Sequence, residues 1–590
     1  GRKPMIAEKI TRNTNNITSD NMEKELSKNT KLHSIFEMEE PDEIAETMLN
    51  EFNNIIDTLA PPRVAQVRRN ENNNLSKETK RLMDENKKQF TIAKETGKTE
   101  EYIKYRKNRT IIGQKVNEDK RKRLEDNMND NKECWKTLKR FSDEEDTEIP
   151  TEIVFNGETI RKHQELAEIA NDHFIKKVED IQKEIPKTNA NPITILENLI
   201  PRVDKDATFP LITLEETRKI IRELKNSGSS GMDNLTNKII RKAPERMAEM
   251  HKHLINQIIK KKKFPEILKI SKIIPISKKG KPKYNIDSFR PINNLSSSEK
   301  IIEEWIKINM EKHIKDNEIL NENHHGGRKN HSTITAKLSL ELEAIKEKED
   351  KKTSAIVSTD LSSAYDTISH RILQQKLEHY GFRNEAADII KSYLENRRQF
   401  VQIQSKRSQI KRIPDVSVIQ GSKLSGLLYN LYTNEVPIVH EIMKDPTKYG
   451  ITDEVKIDKE DINHYVHNFV DDSNSIISGR REEDIKSYTI KYMKLMKIYY
   501  STNILKMNQQ KTNIMIIPKR NNRKDWKKET FQVDGNLIKT NETIKILGNI
   551  MNPQLNNEAE INNLIRNIEY RTSMIRRIKN FTTKIGRAHV

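Results

Sequence analysis

A mixed α/β fold preceded by a mainly helical N-terminal region is predicted for this chain by three observations. From about residue 211 to 550, short β-branched runs alternate with amphipathic stretches, as strands and helices packed in layers do. The proline-free segment Lys77–Met128 carries sparse apolar residues at three- and four-residue spacing among charges of both signs, as a solvated helix does. Composition is the third: of 590 residues 34% are apolar and 33% charged, so cores are expected over only part of the chain.

Lys and Arg total 107 against 88 Asp and Glu, a net charge of +19. That balance points to a polyanionic partner, nucleic acid first. A bias toward Lys, Asn and Ile, typical of AT-rich coding sequence, raises the lysine count by itself. Cys134 is the single cysteine, which excludes a disulfide framework and a Cys-based zinc cluster within this sequence. No apolar run approaches the ~18–20 residues of a membrane span and no signal peptide opens the sequence, so a soluble, intracellular protein with no membrane partner is expected. Gly1-Arg2-Lys3 lacks an initiator Met, and Ile585-Gly586-Arg587-Ala588-His589-Val590 back-translates to a common sequencing adapter. An open fragment with its carboxyl terminus missing is therefore expected.

Taken in order, Leu59-Ala60-Pro61-Pro62 stops a first helical stretch, because proline cannot continue a helix interior. Leu82, Phe90, Ala93, Ile103, Ile112 and Val116 mark the next, with Gly97 as the break between two helices and Trp135 and Leu138 as docking anchors. Residues 149–210 read as linkers around one helix. Thr213-Leu214-Glu215-Glu216 opens a helix with a capping box. Strands are expected at Lys272–Ser277, Ala355–Thr359, Val401–Gln404, Tyr465–Val470, Ser475–Ser478 and Asn513–Ile517, and a hydrophilic loop insertion at Lys444–Asp461.

Acidic residues stand where strands end. The run Ala355–Thr359 leads into Asp360, and Tyr465–Val470 leads into Asp471-Asp472 before a second strand. The latter pair is expected at the two-residue tip of a hairpin. Adjacent ionised carboxylates repel unless a cation neutralises them, and Mg²⁺ suits oxygen ligands while keeping room for water and phosphate. With Asp360 the three would make a two-metal site with ions ~4 Å apart. A plain hairpin turn is the rival reading of Asp-Asp alone. Gln420-Gly421-Ser422 opens the helix Leu427–Tyr432, and Gly421 permits close backbone approach to a ligand. Upstream, Ser288-Phe289-Arg290-Pro291 sets a guanidinium before a fixed turn, near Lys278, Lys279 and Lys281, cations that suit a triphosphate.

In this order the pieces resemble a reverse transcriptase of the non-LTR, LINE-type retrotransposon class, over roughly Leu211 to Asn552, with a weaker likeness at Leu59-Ala60-Pro61-Pro62 and Trp135. The resemblance implies a right-hand polymerase fold: a helical linker over 1–148 downstream of a missing endonuclease, a linker over 149–210, fingers and palm over 211–552, and a truncated thumb over 553–590. It implies RNA-directed DNA polymerase activity on an RNA template, a DNA primer at nicked target DNA, and dNTPs, with two Mg²⁺ ions or Mn²⁺ in their place. Nucleus and cytoplasm are the implied compartments.

Asp360, Asp471 and Asp472 match the family's metal-binding carboxylates, and Leu361 would add a backbone carbonyl. Tyr365 matches the aromatic gate against a ribose 2′-OH, and Gln420, Gly421 and Ser422 match the loop lining the nascent base pair. Arg290, with Lys279, matches the triphosphate-binding fingers, and Lys511 the general acid for pyrophosphate. Ser229-Ser230-Gly231-Met232-Asp233 resembles the segment before the fingers, Lys545-Ile546-Leu547-Gly548 a short strand and turn beyond the palm, and Arg566, Arg571, Arg576, Arg577 and Lys579 suit phosphate contacts. Gly327, Gly426, Val418 and Ser230 depart from the family pattern without touching a metal ligand. The alternative is a degenerate element product that binds nucleic acid without chemistry. A maturase or telomerase subunit fits less well, since no added RNA-binding domain of either kind accompanies the polymerase motifs.

Overall fold

The computed structural model describes residues 6–68, 75–127, 150, 152–155, 157–226, 228, 230–278, 280–457, 461–519 and 529–577. Trp135, Leu138, Lys279, Ser229, Lys579 and Ile585–Val590 lie outside the described residues. Beyond two short helices at Ser19–Lys28 and Thr30–Ser34 lie α1 (Pro41–Leu59), α2 (Lys77–Thr96) and α3 (Thr99–Asn127). Next come α4 (His163–Lys183), α5 (Pro244–Lys261), strands β1 (Ile270–Ser277) and β2 (Phe289–Asn294), α6 (Ser297–Asp316) and α7 (Thr333–Glu349). The central elements are β3 (Thr353–Thr359), α8 (His370–His379), α9 (Asn384–Leu394), β4 (Arg398–Ile403) and α10 (Ser425–Tyr432). Then follow β5 (Ile462–Phe469), β6 (Asp472–Gly479), α11 (Glu482–Thr502), β7 (Asn513–Ile517), β8 (Ile544–Ile546), β9 (Asn549–Met551) and α12 (Glu558–Arg577).

The chain forms two compact units, one of Gly1–Lys9, Ala65–Glu148 and Glu558–Val590, the other of Ile10–Val64 and Ile149–Asn557. In the smaller unit α2 and α3 form a hairpin. Gly97, at φ +65°, ends α2 with its N–H on Ala93 O, a left-handed C-cap that glycine adopts at little cost. The Ser76 hydroxyl caps the other end, and the Asp119 carboxylate of α3 accepts from Ser76 N at 2.7 Å. Thr79, Asn86 and Ala93, seven residues apart, form the buried seam, while Phe90 and Ile103 of the expected apolar stripe stay exposed. On α12, Ile561, Leu564, Ile565 and Ile568 are exposed as well.

The larger unit is built on a four-stranded antiparallel sheet of order β5-β6-β3-β7. Its strands are covered on both faces, which is why the centre of β3, Ala355-Ile356-Val357, is apolar without alternation. Ala355 and Val357 point into the main core with α11, and Ile356 points to the opposite side, where Leu340 and Ala344 of α7 meet Ile476, Met515 and the β8–β9 hairpin. A second sheet places β1 between β2, antiparallel, and β4, parallel. Helix α4 covers it, burying Leu166, Ala167, Ala170 and Phe174 against Ile273, Phe289 and Val401.

Two segments expected as spacers are therefore structural. The stretch 149–210 holds the 21-residue α4 and a short hairpin, Ile153–Phe155 with Glu158–Ile160. Helix α1 buries Ile44, Met48, Phe52, Ile55 and Ile56 in the main core, and Asp42 at its start accepts from Glu266 N at 2.6 Å and pairs with Lys263 at 2.6 Å. Their apolar positions recur on one helical face, which suffices to dock them.

Candidate active site

The antiparallel pairing brings three carboxylates to one end of the four-stranded sheet. Asp360 follows β3 directly, and Ser473 pairs with Thr359, so the register sets Asp472 across from Asp360. Phe469 pairs with Asp472, which makes Val470 and Asp471 the two turn residues of the β5–β6 hairpin and Asp472 the first residue of β6. The expected tip of Asp471-Asp472 is thus displaced by one residue. Val470 takes φ +58°, a conformation a β-branched residue rarely adopts.

Burial first, and then the Asp471 and Asp360 carboxylates, push the Asp472 carboxyl up to about 6. Burial and Asp360 raise Asp471 as well. The Lys511 ammonium lies 2.9 Å from Asp360 Oδ2, and Asn508 N donates to Asp360 O at 2.8 Å, holding the segment that carries Lys511 beside the β3 end. Leu361 forms an isolated antiparallel bridge with Met507 beside it.

Among the described residues no three His, Cys, Asp or Glu side chains converge as a ready-made metal cage. The donor set nevertheless fits Mg²⁺, which binds through one or two carboxylates and completes its shell with water and substrate phosphate. Burial first, and then neighbouring carboxylates, raise Asp471 and Asp472, and a bound cation would offset both effects.

A consequence for stability follows with a definite sign. A carboxyl that binds its proton more tightly folded than unfolded destabilises the fold as pH rises from about 4 through 6. Asp472→Asn is therefore expected to melt above the parent at pH 7.5 in EDTA, by the order of 1 kcal/mol once its partial exposure is allowed for. The gap closes by pH 4. A lower melting point for the variant at pH 7.5 contradicts this electrostatics.

Tyr365, five residues after Asp360, stacks on Tyr429 of α10 with ring centroids 5.2 Å apart and an interplanar angle of 29°. Burial and then Asp471 raise its hydroxyl to about 12, so the ring stays neutral beside the carboxylates. Its carbonyl accepts from Val418 N at 2.9 Å.

Beside this loop is a cleft of about 240 Å³, lined among others by Lys177, Lys278, Arg290, Asn293, Asp366 and Gln420. Arg290, Gln420 and Lys278 thus line one cleft, while the three carboxylates, Tyr365, Gly421 and Ser422 do not line it. Lys177 of α4 was not anticipated. Burial lifts the Asp366 carboxyl to about 6, opposed by Lys177.

Gly421 has φ +104°, and a Cβ there would sit 3.3 Å from Asn293 O. Ser422 is turned into the protein instead: its Oγ lies 2.8 Å from the Tyr393 hydroxyl, which donates to Glu303 Oε1 at 2.6 Å. Glu303 Oε2 also accepts from Lys423 N at 3.1 Å, and Arg397 donates to Glu299 at 2.9 Å. This buried network on α6 and α9 fixes the 420–423 loop, and sequence reasoning missed it. Asp233 likewise serves as a clasp, accepting from Ser296 Oγ at 2.5 Å and Leu235 N at 3.3 Å at the start of α6.

Comparison with known proteins decides the class. Residues 276–551 match the family model described as reverse transcriptase (RNA-dependent DNA polymerase). The chain contains a reverse transcriptase domain. Three curated relatives, all from Drosophila melanogaster, share it. The probable RNA-directed DNA polymerase from transposon BS is 26% identical over 64% of this chain and 40% of its own length. The RNA-directed DNA polymerase from mobile element jockey is 26% identical over 60% and 36%. The probable RNA-directed DNA polymerase from transposon X-element is 28% identical over 38% and 24%. By name these relatives come from transposons or mobile elements, and this chain is similar to them over the matched regions. The matched regions cover at most 40% of the relatives' length.

Proposed function

We propose that this reverse transcriptase is an RNA-directed DNA polymerase that transfers dNTPs onto a DNA primer 3′ end, copying an RNA template at nicked target DNA. The observation that carries the reading is the gathering of Asp360, Asp471 and Asp472 at one sheet end within the reverse transcriptase domain. On this reading residues 211–552 act as fingers and palm and 553–590 begin a thumb, and the protein works in nucleus and cytoplasm as a ribonucleoprotein.

The three carboxylates, with the Leu361 carbonyl, would hold two Mg²⁺ ions, or Mn²⁺ in their place. Bound there, the metal supplies acidification of the primer hydroxyl and neutralises charge on the phosphates. Arg290, Lys278 and Lys279 bind and orient the triphosphate, with the geometry of an arginine fork suited to its oxygens. The Tyr365 ring, braced by Tyr429, forms the wall a ribose 2′-OH would strike. Gln420 and Gly421 line the nascent base pair, while Ser422 holds that loop to Tyr393. Lys511 leaves Asp360 for the departing pyrophosphate and hands it a proton. Extension of an RNA-templated DNA primer by this chain tests the reading, and absence of any product under Mg²⁺ or Mn²⁺ contradicts it.

A further inference from the structure

We propose that Gly326 is a positioning residue for the Asp471 carboxylate, because it gives the strained Val470–Asp471 turn the space it occupies; the proposal rests on the polymerase reading of the site. Residues 323–328 run along the outer edge of β5. His325 N donates to Asn468 O at 2.8 Å, and Asn468 N donates to Asn323 O at 2.9 Å. The backbone then crosses the hairpin turn at Gly326. A Cβ there would lie 2.5 Å from Val470 Cγ2, 2.6 Å from Val470 N and 3.2 Å from Phe469 C. Gly326 is not among the residues of positive φ, so it is glycine for room and not for conformation.

The segment is itself fixed from behind. Asn430, fully buried on α10, donates from Nδ2 to Gly326 O at 2.6 Å. Arg328 Nη1 donates to Asn321 O at 2.7 Å and His324 O at 3.1 Å, and the His324 ring meets Thr433 O at 3.0 Å. Thus one helix, α10, supports both Tyr429 under Tyr365 and the segment that crosses Val470. Val470 holds an unfavourable backbone only because its surroundings leave it no alternative, and Gly326 is the wall it rests on.

The test compares Gly326→Ala, Gly426→Ala and Gly326→Ala/Val470→Gly, by primer extension, primer–template binding and thermal melting. Gly426 is the control, since a Cβ there meets nothing within 4 Å. Gly326→Ala is expected to lower kcat about 100-fold, as an ångström-scale displacement of a reacting group does, with dNTP KM and primer–template affinity unchanged. It also lowers Tm, and Val470→Gly restores part of both losses by removing the Cγ2 clash and the strained φ. Extension at the parent rate, a matching loss of primer–template binding, or simple additivity of the two substitutions would overturn the proposal. Should the parent itself fail to extend primers, the polymerase reading fails, and the Tm coupling of positions 326 and 470 still decides the contact.

Discussion

If the protein polymerises dNTPs as proposed, Tyr365→Ala is expected to let it incorporate ribonucleotides, cutting its preference for dNTPs by about 100-fold. The argument is steric. A site cannot reject extra bulk unless a rigid wall stands where that bulk would go, and Tyr365 is held as one. Its ring stacks on Tyr429 at 5.2 Å, and Tyr429 is itself buried on α10. Tyr365→Phe keeps the wall and is expected to keep the discrimination. The ratio of kcat/KM for a dNTP and its ribonucleotide, on one template, measures both. Unchanged discrimination in Tyr365→Ala would remove the gate from this residue.

Lys376→Met is expected to destabilise the larger unit by about 3–5 kcal/mol, because it strands a buried carboxylate. Lys376 of α8 and Glu435, just beyond α10, are fully buried and 2.6 Å apart. The same ammonium donates to Tyr432 O at 2.6 Å, and the Tyr499 hydroxyl reaches Glu435 at 3.4 Å. Burial lowers the lysine pKa and Glu435 opposes that fall, so the charged pair stands only as a pair. Lys376→Met/Glu435→Leu, which removes both charges, is expected to recover most of the loss in urea unfolding. Equal stability of single and double variants would show that no buried charge pair is at stake.

The strands that present the three carboxylates were legible in the sequence because their short apolar, β-branched centres, as in Ile356-Val357, mark buried strands. The Thr213 capping box and the Gly97 break were legible for local reasons: each needs residues only three or four apart. The Asp471-Asp472 tip was read one residue late. Composition shows that a hairpin turns there, but the Phe469–Asp472 pair that fixes its register is set by the neighbouring strand.

How residues 163–183 and 41–59 dock was not legible, because their apolar faces are diluted by charge and what they dock on is distant in sequence. Hardest of all were Glu299, Glu303 and Arg397. Charged residues on an amphipathic helix read as solvated, and nothing local reveals that the 420–423 loop closes over them. Burial, countered by Arg397, pushes the Glu299 carboxyl up to about 8. Gly326 carried a faint signal as a glycine two residues before Arg328, ahead of a helix start, with no hint that it faces Val470.

Primer extension on poly(rA)–oligo(dT) with Mg²⁺, comparing the chain with its Asp471→Ala/Asp472→Ala variant, tests the central claim most directly. The account predicts extension by the parent and none by the variant, with both binding the primer–template alike. Extension that survives the loss of both carboxylates would contradict it.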